Sequence, residues 1–440
     1  MILRGQRERG YTGEGLQERV HFLAKGPRTA TVNDFHTLAP GQQRPVEVLR
    51  EFAESLIRPL AAQIQPKERH FGIASGGRPH QHAGLRLGLL RRRIGLSQRL
   101  AIASAFNLNG MSGVVRVVRH ALMGTFLLEG CGAILLATRF VPLFGWGRGL
   151  WYSIFHSVSA FCNAGFDIFG RIAPGASAAA VQNDPVVLIT LMILIILGGL
   201  GFFVWEEVVR VKDLRKCSVY TRMVLLATLV LTVGGAALFC LLEWNNPATF
   251  GSMSAGDKIL NGFFQSVTLR TAGFAGVDQA GLTQAGKGVS LVLMLIGGSS
   301  GSTAGGAKTV TVMVLMLFLA ARLRGRETVR VFHRSVPQDK VLDAMTIVSI
   351  LVGLAIFGAV FVSATSPVSF TDSLFECVSA LATVGVTAGA TGSLSIPAQF
   401  LIILYMYFGR VGVLTLSLGF LMGNKAEQRY QYAQTNLLIG

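Results

Sequence analysis

Apolar residues along the chain are grouped into long runs rather than into the periodic stripes of water-soluble helices. These runs occupy residues 121–140, 185–204, 223–242, 289–320, 345–364 and 397–422. Each is long enough to cross a hydrocarbon layer of about 30 Å. The pattern therefore predicts an all-α polytopic membrane protein with six crossings.

Between the runs lie three shorter, moderately apolar segments that belong to a repeat of about 110 residues. They read FHSVSAFCNAGFDIFG (155–170), FFQSVTLRTAGFAGVD (263–278) and FECVSALATVGVTAGAT (375–391). Half-helices of roughly 10 to 12 residues are too short to cross, so we interpret them as re-entrant. The repeating unit is span, half-helix, glycine turn, span, and it divides the chain at 87–205, 206–321 and 322–440, after a polar segment 1–86.

The three segments share positions as well as layout. Aligning them on Phe155, Phe264 and Phe375 superimposes Ser159, Thr268 and Ser379, and brings Gly165, Gly273 and Gly385 within one position of one another. Turns at membrane depth are tolerated only where the backbone is buried in protein or lines a watery path. Glycine lets successive carbonyls face one axis, and a ring of such oxygens can replace the water shell of a monovalent cation. Close helix packing is the alternative role for one glycine, but the same turn in three repeats favours an ion path.

The fourth apolar run is interrupted by ten small residues, which predict a hinge or a loop inside the membrane. They are Gly297, Gly298, Ser299, Ser300, Gly301, Ser302, Thr303, Ala304, Gly305 and Gly306. Placed below the glycine turn of its own repeat, this segment would act as a gate. A phosphate-binding loop ending at Lys308 is the alternative, but the glycine that this motif requires directly before the lysine is absent.

Arg410 places a charge within the last run, where charges are costly and usually face a cavity, a partner or a pathway. An arginine that reaches the cytoplasmic edge is the alternative, but about ten apolar or small residues follow Arg410, so we expect it to face the ion path and to slow cations. Its candidate partners are the carbonyls of the 297–306 segment and Glu376. We interpret His156 and Glu376 as hydrogen-bonded structural groups and expect no enzyme, because no Asp, Glu and His cluster converges in the spans.

Composition agrees with a membrane protein and isolates the first part of the chain. Of the 440 residues, 51% are hydrophobic and 14% charged, against roughly a quarter charged in soluble proteins. Residues 1–100 hold 17 Lys+Arg and 8 Asp+Glu, and thus +9 of the net charge of +17. Residues 1–86 contain no run of spanning length and are too polar to bury a core, so we expect disorder or a loose helix there. This charge does not indicate a nucleic-acid partner.

Basic residues mark one side of the membrane. They precede the first span (Arg86, Arg91, Arg92, Arg93, Arg99, Arg116, Arg119), separate the second from the third (Arg210, Lys212, Arg215, Lys216, Arg222), and separate the fourth from the fifth (Arg322, Arg324, Arg326, Arg330, Arg334, Lys340). The positive-inside rule makes these connections and both termini cytoplasmic. The predicted location is the bacterial inner, or plasma, membrane.

With these motifs in place, the chain resembles the bacterial superfamily of K⁺ transporters that includes KtrB and TrkH, and looks most like the KtrB branch. The resemblance covers about residues 88–440 and rests on 155–166, 271–274, 297–308, 383–385, Arg410 and 437–440. It implies four repeats around one K⁺ path, a gate at the broken helix, and Arg410 beside that gate. The implied selectivity filter, with K⁺ at its backbone carbonyls, is Asn163, Ala164, Gly165, Thr271, Ala272, Gly273, Thr383, Val384 and Gly385.

The resemblance also implies partners and a departure from the family pattern. It implies a homodimer in membrane lipid, a cytosolic ring of nucleotide-binding regulatory subunits, commonly a dependence on Na⁺, and no cofactor other than the transported ions. Only three repeats are present, and 87–119 looks like the linker that follows repeat one. We expect the first repeat to be missing through a shifted reading frame or a misplaced start, which would leave the oxygen shell incomplete. The expected function is K⁺ uptake; the alternative is a transport-incompetent subunit with a structural or docking role.

Overall fold

The computed structural model describes residues 114–171 and 177–411, with side chains over 121–170 and 177–410. All of these residues lie in the second of two units into which the chain divides, 91–440. The predicted polar segment 1–86, the linker up to residue 113 and the motif 437–440 lie outside the described residues.

The described residues are mostly helical, with one short hairpin. The helices are α1 (Val114–Phe144), α2 (Trp146–Phe161), α3 (Pro185–Leu200), α4 (Phe202–Val211), α5 (Val219–Glu243), α6 (Ala255–Thr268), α7 (Gln284–Leu295), α8 (Thr309–Leu323), α9 (Gln338–Thr365), α10 (Phe370–Leu381) and α11 (Ile396–Val411). Short 3₁₀ turns lie at Phe169–Arg171, Ala178–Val181 and Thr391–Ser393. Strands β1 (Arg330–Val331) and β2 (Arg334–Ser335) pair antiparallel between α8 and α9. The all-α fold class is therefore confirmed, apart from this hairpin.

By length and composition, three of the described helices can cross a membrane: α5, α9 and the part of α1 from Ala121. A fourth is added if α3 and α4 count as one bent span. The predicted span 289–320 consists of the shorter apolar helices α7 and α8, and α11 covers only the described part of the predicted span 397–422. Three or four spans are thus observed, and the total of six stays a prediction.

The predicted span 185–204 is bent rather than straight. Helix α3 stops at Leu200, α4 starts at Phe202, and the two meet at 94°. Gly201 between them has φ 88° and ψ 148°, a conformation that is essentially restricted to glycine. Both halves are apolar, so hydrophobic pattern alone predicted one continuous span.

Polar side chains determine where the short helices begin. The hydroxyl oxygens of Ser254 and Ser369 accept hydrogen bonds from the backbone N–H groups of Asp257 and Asp372, which satisfies free donors in the first turns of α6 and α10. Asp372 also pairs with the nearly buried Lys287 of α7, at 2.7 Å between Oδ1 and Nζ. The start of α10 is thereby tied to the neighbouring helix α7.

The outward faces of the long helices are apolar. Phe126 and Ile134 on α1, Leu241 on α5 and Phe357 on α9 are each more than 60% exposed. Apolar surface on this scale is not sustained in water, whereas hydrocarbon tails cover it without cost. The observed fold is therefore that of a multi-pass membrane protein.

Candidate ion pathway

Three of the short helices lead directly into the predicted glycine turns. Helices α2, α6 and α10 have 16, 14 and 12 residues, so the first two are longer than expected. Helix α2 starts two residues after α1 ends, and its Tyr152 packs against Phe140 and Phe144 at the end of α1. Beyond the helices, Gly165, Gly273 and Gly385 have φ of 71°, 91° and 93°, which glycine adopts without steric cost.

The residue two positions before each glycine also has a left-handed backbone. Asn163, Thr271 and Thr383 have φ of 49°, 68° and 55°. Asparagine tolerates this region, but a β-branched threonine there is a steric outlier that costs on the order of 1–3 kcal/mol. Threonine ordinarily favours extended backbone, so the residue type alone gave no indication of a left-handed conformation at these positions. The left-handed conformation recurs in all three turns. It persists at two positions where threonine makes it costly, which indicates a backbone shape that the site requires.

Hydroxyl groups close the three turns in the same way. In each case a serine or threonine near the end of the half-helix donates to the carbonyl that follows the turn's glycine: Ser159 to Phe166 at 2.6 Å, Thr268 to Phe274 at 2.7 Å, and Ser379 to Val386 at 2.7 Å. These are the three hydroxyl residues that the sequence alignment superimposed. Their shared role, which sequence analysis did not assign, is to hold the strained turn.

The three turns lie side by side. A Cβ atom added to Gly165 would lie 2.4 Å from the carbonyl oxygen of Ala272, and one added to Gly273 would lie 2.3 Å from that of Val384. Each of these oxygens belongs to the residue before the glycine of the next turn. The fold thus brings the predicted filter residues of all three turns together, with carbonyl oxygens of one turn facing the glycine of another.

The grouping is closed on one side and open on the other. Phe274, which follows the middle glycine, is fully buried, whereas Phe166 in the first turn is 50% exposed. Gly385 of the third turn is exposed, and a Cβ added there meets no described atom within 4 Å. The middle turn is therefore enclosed by its two neighbours, while among the described residues the first and third turns each have a side that nothing covers.

The predicted interruption at 297–306 is present as a closed loop, which we name the 297–306 loop. At its base, the Gly297 N–H donates to the Ala307 carbonyl at 2.9 Å, and the Ala307 N–H donates to the Leu295 carbonyl at 3.2 Å. The Thr309 N–H donates to the Gly298 carbonyl at 3.0 Å. These bonds join the end of α7 to the start of α8, so the loop projects from a fixed base.

The loop contacts two of the three turns. The Thr303 hydroxyl donates to the carbonyl of Phe161, the last residue of α2, at 3.2 Å. Gly305 lies against Thr383 of the third turn, since an added Cβ would be 2.0 Å from the threonine hydroxyl oxygen. A loop in contact with the turns is placed where it can obstruct a path that runs between them.

The same loop is seated in the bend between α3 and α4. The Ser299 N–H donates to the Gly199 carbonyl at 3.0 Å, and the Phe202 N–H donates to the Gly301 carbonyl at 3.1 Å. Tyr220 of α5 donates through its hydroxyl to the Ser300 carbonyl at 3.1 Å. Gly201 permits the bend, and the bend frees backbone groups of residues 199 and 202 to bind the loop.

Two cationic side chains hold neighbouring carbonyls of the loop. Arg410 Nη1 donates to the Thr303 carbonyl at 3.1 Å, and Lys308 Nζ donates to the Ala304 carbonyl at 2.8 Å. Glu376, the other candidate partner of Arg410, instead accepts hydrogen bonds from two threonine hydroxyls of its own unit. Sequence analysis considered Lys308 only as the end of a phosphate loop and missed its contact with the 297–306 loop.

His156 is hydrogen-bonded on both ring nitrogens, as the sequence interpretation expected. Its Nδ1 lies 2.7 Å from the Tyr152 carbonyl, and its Nε2 accepts from the Ile168 N–H at 3.3 Å. The buried ring stacks on Phe169 with 4.0 Å between centroids. Both nitrogens are occupied, so the ring has no position free for acid–base work.

Grouped carbonyl-bearing turns inside an apolar helical fold, with a loop seated against them, define a membrane protein of the ion-transporter class. The chain belongs to the TrkH family of cation transport proteins, whose sequence profile matches residues 111–429. This confirms the resemblance inferred from the sequence motifs.

Individual relatives agree with this assignment. The chain is 36% identical over 357 residues to the potassium/sodium uptake protein NtpJ of Enterococcus hirae, covering 80% of this chain and 78% of that protein. It is 36% identical over 350 residues to the Ktr system potassium uptake protein B of Vibrio alginolyticus, covering 79% and 75%. The crystal structure of the potassium transporter TrkH from Vibrio parahaemolyticus is similar in fold, with a TM-score of 0.56, 21% identity, and coverage of 73% of this chain and 67% of that one.

Proposed function

We propose that the chain takes up K⁺ through a path lined by the carbonyls of residues 163–165, 271–273 and 383–385. The observation that carries this proposal is the approach of the Ala272 and Val384 oxygens to Gly165 and Gly273. Backbone oxygens grouped in this way can replace the hydration shell of a monovalent cation. The names of the two sequence relatives, both uptake proteins for potassium or for potassium and sodium, support the same cargo.

Electrostatics favours cations at these turns. The three half-helices end at the turns, so their C-terminal ends, which carry partial negative charge, lie at the proposed path. Uptake is driven by the membrane potential, at about 2.3 kcal/mol per charge per 100 mV. In the proposed orientation, the basic connections between the spans and both termini lie on the cytoplasmic side of the membrane.

In the proposed mechanism, the 297–306 loop is the gate. Arg410 and Lys308 hold the loop through adjacent carbonyls, and their charges raise the energy of a cation beside it. Opening requires the loop to leave the bend at Gly201. Regulation by a cytosolic ring of nucleotide-binding subunits, a homodimer in the lipid bilayer and coupling to Na⁺ belong to the proposal on the strength of the family resemblance.

The units 87–205, 206–321 and 322–440 are part of the same proposal. Each contributes one half-helix and one glycine turn to the group. The expectation that residues 1–86 stand in place of a lost first repeat concerns residues outside the described part of the chain and stays a prediction.

A second candidate function is a transport-incompetent subunit that docks on another copy or on regulatory subunits. The observation that favours it is the free side of the group, where Gly385 and Phe166 are exposed. An ion held by three turns with one free side would have fewer oxygen ligands than a closed ring provides.

Growth of a cell that lacks its own K⁺ uptake distinguishes the two functions. Expression of this chain should restore growth at low K⁺ and produce potential-driven uptake of rubidium tracer, measured with and without Na⁺. Normal membrane abundance without growth or tracer uptake, together with co-purification of another copy or of a regulatory subunit, would support the second function and contradict the first.

Replacing Thr268 with valine tests how the middle turn is held. The change keeps the side-chain size but removes the donor to the buried Phe274 carbonyl, a loss of about 1–1.5 kcal/mol. We expect the preference of uptake for K⁺ over Na⁺ to fall about tenfold. The matched control is Thr346→Val, whose hydroxyl bonds its own helix on the exposed face of α9. Unchanged selectivity in Thr268→Val would show that the hydroxyl does not shape the filter.

A further inference from the structure

Arg270 is a buried cation that lies directly before the middle turn. The residue is 7% exposed, and its Nη2 donates to the Thr232 hydroxyl of α5 at 3.0 Å. Its Nε is buried and has no hydrogen-bond partner among the described residues. None of the ion pairs in the described part of the chain includes Arg270. A charged group in this position costs free energy unless its donors are satisfied.

The turn itself does not require this charge. Arg270 stands three residues before Gly273, and the corresponding positions in the first and third units are Cys162 and Ala382. Those two turns have the same left-handed backbone and the same hydroxyl closure without a cation. A feature specific to the surroundings of the middle turn must therefore account for the arginine.

A small, partly open cavity adjoins Arg270. Arg270 lines it together with Thr228 of α5, with Gly298 of the 297–306 loop, and with Ile195, Ile196 and Gly199 of α3. The cavity has room for about one water molecule. It lies between helix α3 of the first unit and the base of the loop in the middle unit. The next loop residue, Ser299, donates its N–H to the Gly199 carbonyl of α3 at 3.0 Å.

We propose that the cavity holds one ordered water molecule that links Arg270 to the closed loop. The water accepts from Arg270 Nε and exchanges hydrogen bonds with the Thr228 hydroxyl and the backbone at Gly298. Buried waters commonly have two to four polar partners of this kind. Arg270 is then a positioning residue that stabilises the closed gate, since movement of Gly298 away from the cavity removes a partner from the water and from the guanidinium. This inference rests on the proposed function, because the loop's role as a gate is part of that proposal.

Accessibility of the loop tests the inference without requiring transport. Ser302→Cys is introduced into the full chain after its five native cysteines are replaced, and the rate of its modification by a membrane-impermeant thiol reagent is measured in inside-out vesicles. Arg270→Ala gives the middle turn the residue that the third unit carries, and we expect it to raise the rate about tenfold. Thr228→Val removes one partner of the water and leaves Arg270 in place; its expected increase is about threefold.

Lys287→Met separates gating from general loss of stability. It breaks the pair with Asp372 away from the loop, so we expect a lower melting temperature and an unchanged modification rate. A rate in Arg270→Ala equal to that of the parent would overturn the inference. If Arg270→Ala does not accumulate in the membrane, Thr228→Val decides: a parental rate there overturns the inference, and a raised rate supports it.

The outcome is distinguishable from failure of the proposed function. Absence of K⁺ uptake by the parent chain would count against the proposed function, whereas the modification rates report loop movement in either case. A high-resolution structure adds a direct check, since the parent should show one water in the cavity and Thr228→Val should not. Empty density in a parent structure that resolves other buried waters would contradict the proposal.

Discussion

Alanine at Gly273 is expected to abolish K⁺ uptake. Its Cβ would lie 2.3 Å from the Val384 carbonyl oxygen and 3.2 Å from the Cα of Gly165, and the backbone φ is 91°. Real Cβ atoms do not approach backbone so closely, so the middle turn must rotate or move away from its neighbours. The backbone that moves is the proposed ion ligand, and we expect uptake to fall at least about a hundredfold, or ~2.7 kcal/mol in the barrier.

Two other glycines give this experiment its controls. Gly353→Ala in α9 places a Cβ in open space within an ordinary helix, and uptake should be unchanged. Gly385→Ala places an alanine at a similar positive φ of 93°, but its Cβ would meet open space. Its loss of uptake should therefore be smaller than that of Gly273→Ala and larger than that of Gly353→Ala. Uptake by Gly273→Ala that equals that of Gly353→Ala would show that the grouped turns are not the ion path.

Alanine at Arg410 is expected to raise uptake about fivefold to tenfold when the gate is otherwise closed. The change removes a donor to the Thr303 carbonyl and a positive charge beside the loop. Hydrogen bonds from charged groups contribute about 1.5–3 kcal/mol when buried, and the exposure of Arg410 places its contribution at the low end. The measurement is initial rubidium tracer uptake under conditions that limit the parent chain.

Arg324→Ala is the matched control for Arg410→Ala. Arg324 follows α8 with an exposed side chain away from the loop, so its removal should leave uptake within twofold of the parent. A decrease in uptake by Arg410→Ala, at normal abundance, would mean that the arginine supports the path rather than closing it.

Local sequence was sufficient to locate the main parts of the site. Glycine in a short apolar segment marked each of the three turns, and the structure gives Gly165, Gly273 and Gly385 the positive φ that only glycine adopts freely. A run of ten small residues marked the 297–306 loop, since such residues do not sustain a helix in the absence of packing. These features are properties of the backbone at a few neighbouring positions, and neighbouring residues encode them.

Features that depend on distant contacts were not predicted. The bend at Gly201 lies in a continuous apolar run, and its reason is the loop nearly a hundred residues later, which binds the freed carbonyl of Gly199. Arg410 reaches the Thr303 carbonyl from 107 residues away in sequence because the fold brings the last described helix to the loop. Lys308 binds the adjacent Ala304 carbonyl from four positions along the chain, so its contact is local. The sequence likewise did not decide whether Arg410 binds the loop or Glu376, and the structure shows that it binds the loop carbonyl of Thr303.

The number of membrane spans cannot be obtained from the length of apolar runs alone. The apolar run at 185–204 is long enough for one straight span and was predicted as one, yet α3 and α4 meet within it at 94°. Apolarity reports burial in protein or lipid and does not distinguish a crossing from a half-helix. The three turns, in contrast, were identified by repeated position as well as by composition, and their residues lie together in the structure.

The central claim, that K⁺ passes between the three glycine turns, is tested most directly by locating the ion. Crystals of the purified chain in lipid, grown in rubidium and measured at its absorption edge, would show where the cation binds. We predict anomalous density among the carbonyls of residues 163–165, 271–273 and 383–385, lost in Gly273→Ala. Absence of density there, at a rubidium concentration that supports uptake by the same preparation, would contradict the account.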